Sequence, residues 1–156
     1  MASWASFEEA EPEFAAKVKA AFESGRHKIL ATLRADGSPR ISGIECEFVD
    51  GVLRFGSMPG SRKGADLRRD PRFALHGPPS HPEQGLENEW IGEAKVSGLA
   101  RPGGDITTDE APGEVMGEWF HADIEQVVFT GLNADATMLS IQTWTPQGGL
   151  NTIERA

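Results

Sequence analysis

Two Asp-Gly pairs, Asp36-Gly37 and Asp50-Gly51, constrain the fold of this chain more than any other feature. Each pair separates short runs in which apolar residues alternate with others, which is the pattern of a β-strand with one buried face. Asp-Gly is typical of tight hairpin turns because glycine adopts positive φ angles without a steric penalty. We therefore predict that residues 28–55 form a three-stranded antiparallel meander.

Further β-rich runs predict four more strands, at residues 72–77, 93–102, 123–132 and 137–146. Proline, glycine and polar residues predict loops at 78–92 and 102–113, and residues 114–120 are predicted to form a short helix. Six or seven short strands and few helices favour a mainly β fold, a small antiparallel barrel or sandwich. A barrel has the advantage that closure removes exposed strand edges.

The N-terminal part of the chain carries the clearest helical signal. Phe14, Val18 and Phe22 repeat at helical spacing, so residues 12–24 are predicted to form an amphipathic helix. A length of 156 residues is typical of one domain, here 1–156, with its N-terminal helix in residues 1–25. The pattern leaves the structure of the C-terminal tail, residues 145–156, open.

Charge and cysteine content exclude several functional classes. A net charge of −9 argues against general affinity for nucleic acid or anionic membranes, both of which require a basic surface. Cys46 is the only cysteine, so the chain forms no internal disulfide and suits a reducing compartment. No signal peptide and no membrane-spanning segment is recognisable, and we expect a cytoplasmic protein.

Against this acidic background, the stretch GSMPGSRKG at residues 56–64 is distinctive. Ser61, Arg62 and Lys63 precede a short predicted helix, whose first N–H groups and dipole attract anions. Arginine binds phosphate oxygens with a forked set of donors, and lysine adds a point charge. These residues alone leave two interpretations open, a phosphate site and a solvated basic helix face. The nucleotide-binding P-loop and the GxGxxG fingerprint are both absent.

The order LATLRADGSPRISGIECEF, then VLRFGSMPGSRKGADLRRDPRFAL, then EAKVSGLA resembles the flavin-binding split β-barrel family of pyridoxamine 5′-phosphate oxidase and its relatives. The resemblance implies an antiparallel split barrel and a homodimer with its cofactors at the subunit interface. It implies FMN, or alternatively the deazaflavin coenzyme F420, and hydride transfer to or from a small organic substrate. The positions implied to contact the cofactor are Arg40, Ser42, Gly56, Ser57, Ser61, Arg62, Lys63 and Glu93.

The C-terminal region departs from the oxidase that gives the family its name. The Arg-Leu-His-x-Arg substrate motif of that enzyme is missing, and only Arg155 matches its last arginine. The chain is therefore not expected to be a true pyridoxamine 5′-phosphate oxidase. Trp90, Trp144 and Arg155 are the candidate substrate-pocket residues.

We assign no catalytic side chain, because the reduced cofactor itself delivers the hydride. We also expect no metal site, because His76, His81 and Cys46 fit no tight ligand spacing. The alternative is a non-catalytic flavin or haem binding or carrier protein on the same fold, for which His76 and His81 are possible haem ligands. An interaction module without a chromophore is the third possibility.

Overall fold

The computed structural model describes residues 1–156. Three helices and nine strands follow one another along the chain, with a short 3₁₀ turn at Glu87–Glu89 in the loop after the fifth strand. In chain order they are α1 (Trp4–Ala10), α2 (Pro12–Glu23), β1 (Lys28–Leu33), β2 (Pro39–Ile44), β3 (Cys46–Val49), β4 (Val52–Ser57), α3 (Arg62–Arg69), β5 (Arg72–His76), β6 (Glu93–Ile106), β7 (Gly117–Leu132), β8 (Leu139–Thr145) and β9 (Gly149–Arg155).

The strands form one antiparallel sheet that curves into a barrel. Seven of them are hydrogen-bonded in the order β2-β1-β5-β6-β7-β4-β3. The two ends of this path are β2 and β3, and only Glu45 separates them in the chain. The two end strands therefore lie close together, and the curved sheet closes into a barrel. β8 pairs with the second half of β7, and β9 pairs with β8. The prediction of a mainly β, antiparallel barrel with few helices is confirmed.

The predicted three-stranded meander is wrong in its middle strand. β1 and β2 form one hairpin and β3 and β4 form another, and the two hairpins lie at opposite ends of the strand order. The alternating pattern of residues 41–48 runs through Glu45 without a visible break, so the change of partner carries no local signal. The second Asp-Gly turn is as predicted: Asp50 and Gly51 have φ angles of 50° and 75°, and Val49 faces Val52.

Four other features of the secondary structure differ from the prediction. The strand count is nine rather than six or seven, and residues 1–25 contain two helices instead of one. β6 extends to Ile106, beyond the predicted loop start at residue 102. Residues 117–120 belong to β7 and not to a helix, because they pair with β4. The tail, whose structure was left open, forms β9 on the edge of the sheet.

The hydrophobic core is a single cluster of 23 buried residues drawn from the helices and from the strands of the barrel. Aromatic rings dominate its N-terminal end, where Phe7 contacts Trp4, Phe14 and Trp144 at centroid distances of 5.1, 5.7 and 4.7 Å. The predicted apolar face of α2 is buried here as well, including Val18 and Phe22. None of the helices has the length and apolar character needed to cross a lipid bilayer.

Candidate functional site

The site is built around the start of α3. Ser61 is the N-cap residue, and its Oγ accepts a hydrogen bond from the backbone N–H of Gly64 at 3.1 Å. This capping satisfies one of the first N–H groups of the helix and fixes the direction in which it starts. The helix start consequently stands directly beside the end of β4, where Ser57 is buried.

Close packing between α3 and β4 depends on Gly64. A Cβ atom at this position would lie 2.6 Å from Ser57 Oγ and 3.0 Å from Glu118 Oε1. The Oγ atoms of Ser57 and Ser61 are hydrogen-bonded to each other across the same contact. Glycine therefore lets the first turn of the helix approach the strand closely enough for this serine pair to form.

A cleft of about 350 Å³, which we call the main cleft, opens beside this contact. Its volume lies at the lower end of the range of about 300–1,000 Å³ typical of small-molecule sites. Several elements of the barrel contribute residues to it, with β2 and β4 supplying two glycines. The lining residues are His27, Gly43, Ile44, Glu45, Gly56, Ser57, Met58, Lys63, Ile106 and Met116.

A second cavity of about 410 Å³, the arginine pocket, lies on the other side of the helix start. Arg62 lines this pocket while its neighbour Lys63 lines the main cleft. The basic pair therefore stands between the two cavities. The residues that line the arginine pocket are Arg34, Ala35, Asp36, Arg40, Arg62, Ala65, Asp66 and Arg69.

A buried aspartate orients one of these arginines. Asp66 is 3% exposed, and its carboxylate accepts hydrogen bonds from Thr32 Oγ1 at 2.8 Å, Arg40 Nε at 2.7 Å and Arg69 Nη2 at 2.9 Å. Burial by itself raises the pKa of this carboxyl, but the hydrogen bonds from Arg40, Thr32 and Arg69 outweigh it and lower the pKa to about 2. Asp66 is therefore ionised at neutral pH and holds Arg40 through Nε, leaving both Nη groups of Arg40 for another anion.

The two residues of the basic pair have no acidic partner within the chain. Seven of the fifteen lysines and arginines form ion pairs with carboxylates, but Arg62 and Lys63 do not. Five basic side chains lack an ion pair, a side-chain hydrogen bond and an aromatic contact, namely Arg34, Arg62, Lys63, Lys95 and Arg155. Three of these five line the two cavities. In a chain with a net charge of −9, this concentration of unpaired positive charge favours an anionic ligand here.

The structure brings most of the expected cofactor-binding residues together. Gly56, Ser57 and Lys63 line the main cleft, and Arg40 and Arg62 line the arginine pocket, with Ser61 between them as the helix cap.

Three expected cofactor-binding residues line neither cavity: Ser61, which caps the helix between them, Ser42 and Glu93. Ser42 lies opposite Leu30 in the β1–β2 ladder. Glu93 begins β6, where its Oε2 is 3.6 Å from His76 Nε2.

The three substrate-pocket candidates lie outside these cavities in the single chain. Trp144 is buried in the aromatic core against Phe7 and lines neither cavity. Trp90 lines a separate cavity of about 240 Å³ and donates a hydrogen bond from Nε1 to Ser80 Oγ at 2.9 Å. Arg155 is exposed near the end of the edge strand β9.

Sequence reasoning missed several residues of the site. Asp66 holds Arg40 in place and also accepts a hydrogen bond from Thr32, while Ile106 and Met116 line the main cleft. The one acidic residue within the basic helix RKGADLRR was the available signal for Asp66. His27, expected to be structural, lines the main cleft and is exposed.

The two cavities combine apolar and cationic surface. The main cleft offers glycine-lined and apolar surface, and unpaired cations stand at the helix start beside it. No group of three His, Cys, Asp or Glu side chains comes together in the arrangement that a metal ion requires.

Burial raises the pKa of the Cys46 thiol to about 11, so this side chain is a neutral thiol at physiological pH.

These features define a barrel with unpaired cations beside its cavities, and the comparison with known proteins identifies the family. The chain belongs to the pyridoxamine 5′-phosphate oxidase family, whose family model matches residues 14–130. This match contains the whole of both cavities and ends before β8. No curated protein matches the chain significantly.

Solved structures similar to this chain include proteins with different cofactors in their descriptions. A pyridoxamine 5′-phosphate oxidase-related, FMN binding protein from Nostoc punctiforme has 12% identity and a TM-score of 0.62, with 100% of this chain and 98% of that chain covered. An F420 reductase has 16% identity and a TM-score of 0.53, with 70% and 94% covered. A heme binding protein from Mycobacterium smegmatis has 16% identity and a TM-score of 0.54, with 88% of this chain but 56% of that chain covered. At these identities the likeness concerns the fold alone.

Proposed function

We propose that this protein is a flavin-dependent oxidoreductase that binds FMN or the deazaflavin coenzyme F420 and transfers a hydride to or from a small organic substrate. The observation that carries the proposal is the unpaired Arg62-Lys63 pair at the start of α3, between two cavities. Family membership and the FMN-binding and F420 reductase neighbours support the same class of cofactor.

In this proposal the cofactor supplies the hydride chemistry, and the residues of the chain bind and orient it. Arg62 and Lys63 hold the phosphate, with Arg40 kept in position by Asp66. Gly56 and Ser57 at the end of β4 form the wall of the main cleft beside the ring, and Ser61 keeps the helix start in place. Ile106, Met58 and Met116 present apolar surface that excludes water from the ring.

A second copy of the chain completes the site in this proposal. Apolar side chains beside the main cleft are exposed in the single chain, with Ile41 at 74%, Met58 at 70%, Met116 at 47% and Ile29 at 39%. Ile41 and Ile29 share the outer face of the β1–β2 hairpin, and Met58 and Met116 line the cleft itself. An apolar face of this kind next to a ligand site is typical of a subunit interface.

Haem binding is the second candidate function. It is favoured by the heme binding neighbour and by the position of His27 in the main cleft. His76 and His81, which suggested haem from sequence, line neither the main cleft nor the arginine pocket. A haem carrier would bind through His27 and would need no phosphate cradle.

The experiment that tests the proposal is an equilibrium fluorescence titration of cofactor-stripped protein with FMN and with coenzyme F420, alongside a haem titration followed by absorbance. Wild-type protein is compared with the double variant Arg62→Ala/Lys63→Ala and with Lys95→Ala, which removes an unpaired cation elsewhere. Charge-assisted hydrogen bonds contribute about 1.5–3 kcal/mol each, so the double change should weaken cofactor binding by about 3 kcal/mol or more, roughly 100-fold. Lys95→Ala should bind as the wild type does.

Two results would contradict the proposal. Equal affinity of the double variant and the wild type would show that the basic pair does not hold the phosphate. Binding of haem with neither flavin bound would establish the second candidate, and His27→Ala should then abolish the absorbance change.

A further inference from the structure

The arginine pocket carries more positive charge than the proposed phosphate contact uses. Four arginines and two aspartates line it, which gives the lining a net charge of +2. Arg40 and Arg69 are paired with the buried carboxylate of Asp66. Arg34 and Arg62 have no acidic partner.

Both carboxylates of the pocket are already engaged. Asp66 accepts three side-chain hydrogen bonds. Asp36 accepts from the backbone N–H of Ser38 at 2.9 Å and from its Oγ at 2.6 Å, which closes the turn between β1 and β2. Neither forms an ion pair with Arg34, although the hydrogen bonds from Ser38 and, to a smaller degree, the nearby charge of Arg34 lower the pKa of Asp36. The same turn fixes the backbone of Arg34 through a hydrogen bond from its N–H to the Ser38 carbonyl at 2.9 Å.

The pocket is also larger than one phosphate group requires. Its volume is about 410 Å³, whereas a phosphate has the bulk of a few water molecules at about 30 Å³ each. The phosphate proposed above lies at the Arg62-Lys63 pair, on the border of the two cavities. Space and positive charge therefore continue past it, toward Arg34.

We propose that the arginine pocket binds a second anionic group of the cofactor, beyond the phosphate nearest the ring, and that Arg34 is its principal ligand. The inference rests on the proposed flavin function. The class of ligand it favours is a flavin whose tail carries further phosphate or carboxylate groups, such as a dinucleotide or a deazaflavin with a carboxylate tail, over a flavin mononucleotide.

The test is a series of ligands that differ in anionic groups: riboflavin with none, FMN with one phosphate, and FAD and coenzyme F420 with more. Dissociation constants are measured by fluorescence for the wild type, Arg34→Ala, Arg34→Lys and the control Lys95→Ala, at low and high salt. We expect FAD or coenzyme F420 to bind at least tenfold more tightly than FMN. Arg34→Ala should weaken that ligand about five- to tenfold and leave FMN unchanged. Arg34→Lys should recover part of the loss, and high salt should reduce the difference between ligands.

The outcomes separate this inference from the proposed function. If FMN binds as tightly as the ligands with longer anionic tails, and Arg34→Ala changes none of them, the second anionic site is wrong while the flavin function stands. If Arg34→Ala weakens FMN as much as the longer ligands, Arg34 belongs to the first phosphate site and the inference is overturned. If none of the four ligands binds, the inference fails together with the flavin function.

Discussion

Two regions of the molecule, the aromatic core at α1 and α2 and the surface around the start of α3, use their side chains in opposite ways. Under α1 and α2, Trp4, Phe7, Phe14 and Trp144 are buried against one another, and every ring contact is internal. Around the start of α3 the cavity walls include glycines, a serine and basic side chains, and two methionines, Met58 and Met116, are exposed. The aromatic side chains of the first region are packed against other side chains of the same chain. In the second region, Arg62 and Lys63 have no ion-pair partner and Met58 and Met116 remain exposed.

This difference indicates where stability and binding reside. Burial of the aromatic rings stabilises the fold, because the hydrophobic effect scales with the apolar area removed from water. Unpaired cations contribute little to folding but raise the local affinity for anions. Substitutions in the aromatic core should therefore change stability more than binding, and substitutions near α3 should change binding more than stability. Asp66 is the exception, because its substitution should change both the stability of the fold and the binding of an anionic ligand.

The largest effect on stability is expected for Phe7→Ala. Phe7 is 0% exposed and contacts three other rings, so its truncation leaves a cavity that the neighbouring rings fill only partly. The free energy of unfolding should fall by about 3–5 kcal/mol, measured by urea denaturation. Phe7→Leu, the matched control, should lose much less. A loss below about 1 kcal/mol for Phe7→Ala would show that α1 is not part of the cooperative core.

The next effect is that of Asp66→Asn. It removes the charge that Arg40 and Arg69 face in a buried position, and such losses cost about 3 kcal/mol. Because Arg40 loses its orientation, flavin affinity measured by titration should fall as well. Asp70→Asn is the control, since Asp70 pairs with Arg72 close by in the chain and lies outside both cavities. Unchanged flavin affinity in Asp66→Asn would show that Asp66 does not position Arg40 for flavin binding.

Asp66 also predicts a pH dependence. The pKa of Asp66 is about 2 in the folded protein, below the ordinary aspartate value of 3.8, so the unfolded chain binds the proton more readily. The stabilisation is therefore fully present above pH about 4 and is lost as the pH falls from about 4 to about 2. Urea denaturation across this range should show a smaller loss of stability in Asp66→Asn than in the wild type. Parallel curves for the two proteins would contradict the assignment.

A smaller effect is expected for Gly64→Ala. Alanine is favoured over glycine in a helix by about 1 kcal/mol, but its Cβ would stand 2.6 Å from Ser57 Oγ. The clash should prevail, with a net loss of about 1–2 kcal/mol in urea denaturation. In a Ser57→Ala background, Gly64→Ala should lower the free energy of unfolding by less than it does in the wild type, because the Oγ atom that the new Cβ would meet is absent. A stabilised Gly64→Ala would mean that the helix start shifts easily.

The smallest effect on the fold itself is expected for Ile41→Asp. Ile41 is 74% exposed, so the change should alter the stability of the single chain by less than about 0.5 kcal/mol. If a second copy covers this face, the same change should convert a dimer into a monomer in sedimentation velocity. Leu86→Asp, at an exposed apolar position in the loop after β5, is the control. A wild-type monomer with an intact flavin site would refute the proposed interface.

The features that the sequence alone determined are local ones. The turn at Asp50-Gly51 follows from the φ angles that these two residues adopt, and the buried face of α2 follows from the spacing of Phe14, Val18 and Phe22. The proposed phosphate site could be identified from the sequence because Ser61, Arg62 and Lys63 are adjacent in the chain. The resemblance to the family extended this reasoning to Arg40, which no local pattern identifies.

Tertiary structure alone decided the features that join distant parts of the chain. Asp66 binds Thr32 and Arg40 across 34 and 26 residues, and Trp144 is buried against Phe7 from the far end of the sequence. The exchange of partners at Glu45, which closes the barrel, likewise depends on which strands lie nearest in space. Alternation and turn residues report the conformation of a segment but not its partner. For that physical reason the positioning of Arg40 and the arginine pocket emerge only once the chain is folded.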